Sequence, residues 1–180
     1  TYDEAWCLAA ALAFLRQAGD EERQFFEDSR PQGLPQVRGR VDNTAWTKYL
    51  MHEDEDQTVG KIFEALAASA LRAKIDQLKE KPVLDARFKQ DPKTSTVTFA
   101  RTFGWAAEVL GLAAPPLYVR SDVPGALTHV PAEPPSSLAG QTVLTGFTAQ
   151  DLTFIGGKHI AYYRPEHYIK AIFPTVTELT

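Results

Sequence analysis

The sequence predicts an α+β fold, helices first and a small strand group after them, and three observations carry that reading. Apolar residues recur at helical spacing through most of the first 110 positions. From Pro115 onward, short β-branched or aromatic runs lie between Pro and Gly. The 180 residues, 44% hydrophobic and 23% charged, suit one globular domain or two small modules sharing a core. That apolar content excludes a disordered chain. No run approaches the ~18 apolar residues that a membrane-spanning helix needs.

Along the chain, Ala5 to Gln17 forms an almost all-round apolar helix with Trp6, Leu8, Leu12 and Phe14, and Gly19 stops it. Glu21 to Asp28 is a second short helix bearing Phe25 and Phe26. Arg30 to Arg40 is an irregular loop, after which Asp42 or Asn43 caps a turn carrying Trp46, Tyr49 and Leu50. The run Glu53-Asp54-Glu55-Asp56 lacks the glycine and terminal glutamate of a calcium loop and instead caps a long helix, Gln57 to Lys79, closed by Pro82. Residues 82–98 read as a linker. Phe99 to Leu110 is an amphipathic helix ended by Gly111.

Strands are expected at Leu117–Arg120, Ala126–Val130 and Gln141–Leu144, with a proline-rich loop, Pro131 to Pro135, between the last two. Thr148 and Asp151 form a capping box for a helix from Ala149 to about Tyr163, on which Leu152, Ile155, His159 and Tyr163 share one face. Gly156-Gly157 weakens that helix and is explained by close approach of another backbone, such as a crossing strand. Pro165 starts a further helix with Glu166, His167, Tyr168 and Ile169.

Charge narrows the partners. Residues 1–90 carry 13 basic and 16 acidic side chains, residues 91–180 carry 6 and 7, and the whole chain is at -4. Neither half has the basic excess of a nucleic-acid binder. One cysteine, Cys7, excludes disulfides and a cysteine-rich zinc site, and its apolar helical setting predicts a buried thiol. Composition places the chain in a reducing, cytoplasmic setting. Because it starts at Thr1, we read it as a fragment of a longer protein.

Pro-Pro-Leu-Tyr-Val-Arg (115–120), Val-Pro-Gly-Ala (123–126), Leu144-Thr145-Gly146 and Thr-Ala-Gln-Asp-Leu-Thr-Phe-Ile-Gly-Gly-Lys-His (148–159) follow one another in an order that resembles the core of HtpX-type gluzincin metallopeptidases. The resemblance covers roughly residues 99–173. It implies a zincin-like helix-and-sheet core, with the N-terminal helices packed on it. It divides the chain into a helical region (1–81), the linker (82–98) and a zincin-like region (99–180).

In that family the last helix bears His-Glu-x-x-His. His159 matches the first ligand, Ile160 stands where the water-activating Glu would be, and Tyr163 replaces the second His. A catalytic zinc takes about three protein ligands and an open water position. Ile has no proton to exchange, and a tyrosine with an ordinary pKa of about 10 is a poor ligand at neutral pH. His167 matches only a trailing histidine, and ~12 Å of unbroken helix would separate it from His159.

No catalytic residue, metal ligand or cofactor is therefore assigned; His159, Ile160 and Tyr163 are vestigial positions. His159 is expected to be a half-buried helix histidine, hydrogen-bonded to a neighbour. The resemblance implies a non-catalytic pseudo-metallopeptidase acting as a protein-interaction or scaffold module of a larger bacterial protein. Trp46, Tyr49, Arg164, Glu166 and His167 are its interaction candidates, along with the Pro131–Pro135 loop and the edge of the strand group. Two alternatives stand beside it. One is a zinc peptidase with altered ligands, and the other is a helical docking platform in residues 1–81.

Overall fold

A computed structural model describes residues 1–29, 33–80, 82 and 84–179. The contacts divide the chain into two compact units, Thr1–Pro35 and Gln36–Thr180. The expected loop from Arg30 to Arg40 lies partly outside the described residues.

The first unit is a pair of helices. Helix α1 (Tyr2–Phe14) begins at Thr1, whose side chain and that of Glu4 form a reciprocal capping box. Helix α2 (Asp20–Asp28) follows a turn in which Arg16 adopts φ 58°. The two meet through aromatic edges, Tyr2 on Phe25 at 5.5 Å and Trp6 on Phe26 at 5.6 Å between centroids. Cys7 is exposed, against the expectation of a buried thiol, because it lies off the stripe of Tyr2, Trp6 and Ala9.

In the second unit, Asp42 accepts a hydrogen bond from the Ala45 amide at 2.7 Å and starts α3 (Asn43–Ala45), which continues as a π-helical turn, Trp46–Leu50. Asp56 caps α4 (Gln57–Gln77) by accepting from Thr58 and Val59 amides, the role expected of that acidic run. Helix α5 (Thr98–Val109) ends near Gly111 at φ 66°, where an added Cβ would stand 2.5 Å from the Val41 carbonyl oxygen. Only glycine fits there. Helix α6 (Ala149–Ala161) carries the expected capping box, and α7 (Pro165–Ile172) has proline in its first turn. A short helix, α8 (Val176–Leu179), follows.

Four short strands make one mixed sheet: β1 (Lys89–Gln90), β2 (Leu117–Val119), β3 (Leu127–Val130) and β4 (Ser136–Ala139), in spatial order β1-β2-β4-β3. Among the described residues, only β2 and β4 run parallel. Helices and a small sheet together make the fold α+β.

Two segments differ from the sequence reading. Gln141–Leu144, expected as a strand, is a 3-10 turn that plugs Val143 into the core; the strand is Ser136–Ala139 instead. Ser and Ala have weak strand propensity alone, and pairing on both sides decides the matter. Within residues 82–98, expected as a linker, a 3-10 turn (Ala86–Phe88) leads into β1, which pairs Lys89 with Tyr118. A two-residue strand has no alternation to read.

The main core joins Phe99, Phe103 and Ala106 of α5 to Leu117 and Ala139 of the sheet and to Leu152 and Ile160 of α6. At Gly156 α6 passes close to α5, since a Cβ there would lie 3.6 Å from the Phe103 Cα. The neighbour it accommodates is a helix, not a crossing strand. A second cluster seats Leu71 of α4 against Tyr168 and Ile172 of α7. Among the described residues, no helix is long and apolar enough to cross a membrane.

Candidate functional site

The family resemblance directs attention first to α6. Its expected face is real: Leu152 and His159 are buried, and Ile155 and Tyr163 are partly so. Ile160 is completely buried in the main core, on the side away from any solvent. Small residues on β4 let this face come close. Ser137 Oγ lies 3.0 Å from His159 Nε2 and 2.7 Å from the Tyr163 hydroxyl.

The Tyr163 hydroxyl donates to the Ser136 carbonyl at 2.5 Å. Its proton being committed there, Ser137 donates to the tyrosine oxygen, and His159 Nε2–H donates to Ser137. A directed relay of three hydrogen bonds results. It ends on backbone.

Sequence reasoning named no partner for His129, yet this residue completes the cluster. Its place on β3 pairs it directly with Ser137 on β4. The two imidazoles stack with centroids 3.6 Å apart, and His129 Nε2–H donates to the His159 carbonyl at 3.1 Å. Burial and the neighbouring His129 hold the His159 pKa down at about 3. Burial also lowers that of His129, though its bond to the His159 carbonyl opposes this. The Tyr163 hydroxyl is raised by burial, and Tyr168, buried with no hydrogen-bond partner for its hydroxyl, is pushed up to about 12. All four groups stay neutral across the physiological range.

This donor set does not fit a catalytic zinc. The lone pairs of two stacked rings lie in nearly parallel planes and do not converge on one point. His129 Nε2 and His159 Nε2 are both committed as donors, and Tyr163 is held protonated. His167, the other histidine considered for an altered site, faces Glu55 at 3.4 Å. Among the described residues, no group of three His, Cys, Asp or Glu side chains is arranged to hold a metal ion.

The interaction candidates gather in a second place. Arg164 lies over the Trp46 ring at 4.7 Å, donates to Glu166 at 2.6 Å and reaches Asn43 Oδ1 at 3.4 Å. Trp46 is buried, and its Nε1–H donates to the Leu110 carbonyl at 3.0 Å. Lys170 donates to Glu55 at 2.9 Å and, with His167 beside it, holds that carboxyl below its usual range. Arg164, Glu166 and His167 line one small cavity of about 210 Å³ with Asn43 and Gly60. Tyr49 stands apart, 70% exposed.

Above Trp46 the surface changes character. Trp46 and Leu50 of the π-helical turn, Trp105 and Val109 of α5, and Phe154 and Lys158 of α6 line an apolar groove of about 490 Å³. Phe154 is 73% exposed and Leu50 51%. The sequence reading missed Phe154, Trp105 and Lys158; the departure of Phe154 from the buried face of α6 was the available signal. Comparison with protein-family models, curated proteins and solved structures finds no match to this chain.

Proposed function

We propose that this chain is a non-catalytic, zincin-like pseudo-metallopeptidase domain, working as a protein-interaction module of a larger bacterial protein in the cytoplasm. The observation that carries the reading is the groove between the π-helical turn, α5 and α6, where Leu50, Trp105, Val109 and Phe154 offer apolar surface to a partner. Large aromatic side chains around a concave apolar surface are what binding hot spots are made of.

The neutral His129–His159–Ser137–Tyr163 cluster favours the non-catalytic half of the proposal. The Nε2 atoms of both histidines and the Ser137 and Tyr163 hydroxyls are engaged with one another or with backbone, and Ser137 is fully buried. It fastens α6 to the sheet and thereby fixes the groove wall.

A photo-crosslinking residue at position 154 of the longer host protein tests the interaction. Transfer to a defined partner polypeptide, with none from the same residue at Gln77, is the expected result. Equal labelling from both positions, or none from 154, overturns the reading. Chelator-sensitive peptide cleavage by the pure protein would overturn the non-catalytic assignment.

A further inference from the structure

Trp105 lines two cavities. One is the apolar groove above; the other, of about 600 Å³, is lined by Arg40, Lys93, Arg101, Asp91 and Glu108 among others. Arg101, Trp105 and Val109 stand at i, i+4 and i+8 on α5, so one row of side chains passes from cation to aromatic ring to aliphatic wall. On α6, Phe154 and Lys158 repeat the pairing of apolar and basic groups one turn apart.

The charge of this combined surface opposes that of the chain. Its lining holds four cations (Arg40, Lys93, Arg101, Lys158) and two carboxylates, on a protein of net charge -4. Glu108 is paired with Arg40 at 3.1 Å, whereas Asp91 accepts only the Lys93 amide at 2.9 Å and keeps its charge, so the balance of the surface is +2. Among the described residues, Lys93, Arg101 and Lys158 have no ion-pair partner. Lys158 in the acid-free lining of the groove, and an excess of two positive charges over the combined surface, call for an anionic, part-apolar occupant.

We infer that the groove takes an acidic amphipathic segment of a partner protein. Its apolar side chains lie against Leu50, Trp105, Val109 and Phe154, and its carboxylates meet Lys93, Arg101 and Lys158. This inference rests on the interaction-module reading and adds the chemistry of the partner. A trough between two helices suits the helix-in-groove mode of recognition, with anchors at i, i+4 and i+7. The cations select charge and speed encounter, and the apolar wall supplies the affinity.

Two synthetic helical peptides test it on the full chain by fluorescence anisotropy. Both carry Leu and Phe at i, i+4 and i+7; one has glutamates along its flanks, and the other has lysine at every one of those positions. The glutamate peptide is expected to bind about tenfold more tightly or better, and to weaken as salt rises. Arg101→Glu combined with Lys158→Glu should abolish or reverse that preference, and Phe154→Ser should weaken the glutamate peptide, circular dichroism showing both variants folded. Equal binding of the two peptides, or a preference unmoved by the charge reversals, overturns the acidic partner. Such a result leaves crosslinking from position 154 to decide the interaction module separately. Absence of binding by both peptides likewise overturns this inference.

Discussion

His129 and His159 lie face to face, ring planes 16° apart, in a pocket that keeps both imidazoles neutral. Folding therefore competes with protonation. The unfolded chain takes up these protons near pH 6.5, whereas native His159 holds out to about 3. Above pH 6.5 the two states bind equal numbers of protons here, and the pair adds no pH dependence. As pH falls from 6.5 towards 3, the unfolded state binds more, and His159 alone lowers stability by up to about 1.4 kcal/mol per pH unit, with His129 acting in the same direction. Urea unfolding of the wild type and of His159→Gln, at intervals from pH 7 to 5, reads the effect. Glutamine keeps an N–H for Ser137 and does not titrate. The variant should be spared about 2 kcal/mol of the wild-type loss at pH 5, and parallel curves would count against a neutral buried His159.

Two neighbouring tyrosines should respond oppositely to loss of their hydroxyls. Tyr163→Phe takes the acceptor from the Ser137 hydroxyl proton and the tyrosine donor from the Ser136 carbonyl, at a cost of about 1–3 kcal/mol. Tyr168→Phe removes a buried hydroxyl that has no hydrogen-bond partner among the described residues, so stability stays within about 0.5 kcal/mol or rises. Chemical denaturation of the two variants side by side is the measurement. The reverse order would contradict the relay.

Arg164 and Glu166 form an ion pair with only 12% and 14% of their side chains exposed. Arg164→Met strands the Glu166 carboxylate and removes the cation from the Trp46 ring, and should destabilise by about 2–4 kcal/mol. Replacing both residues by methionine removes the stranded charge, so the double variant should recover more than half of that loss. A double-mutant cycle in urea decides it, and simple additivity would show the two side chains to be independent.

The adjacent glycines of α6 differ in what surrounds them. An added Cβ at Gly157 meets Leu110 at 3.8 Å, an ordinary contact, so Gly157→Ala should stabilise by about 0.5–1 kcal/mol through helix propensity. At Gly156 the Phe103 ring already stands 3.4 Å away, and Gly156→Val should cost about 2 kcal/mol or more by overpacking α5. Thermal unfolding of the pair separates propensity from packing.

Much of this was legible in the residues themselves. The caps at Asp42, Asp56 and Thr148, the glycine after α5, proline opening α7 and the buried face of α6 all follow from rules acting within one or two turns. The same reading finds Ile160 and Tyr163 after His159, where a His-Glu-x-x-His motif would carry Glu and His. By contrast, β4 and the two-residue β1 exist only because partner strands complete their ladders. His129 gained its role because strand register set it opposite Ser137, beneath a helix that begins 20 residues later. Trp105, Phe154 and Lys158 became a surface only when α5 and α6 met at Gly156. Local periodicity and capping are written in adjacent residues. Strand pairing, buried polar partners and concave surfaces arise from distant ones, and packing alone chooses among their combinations.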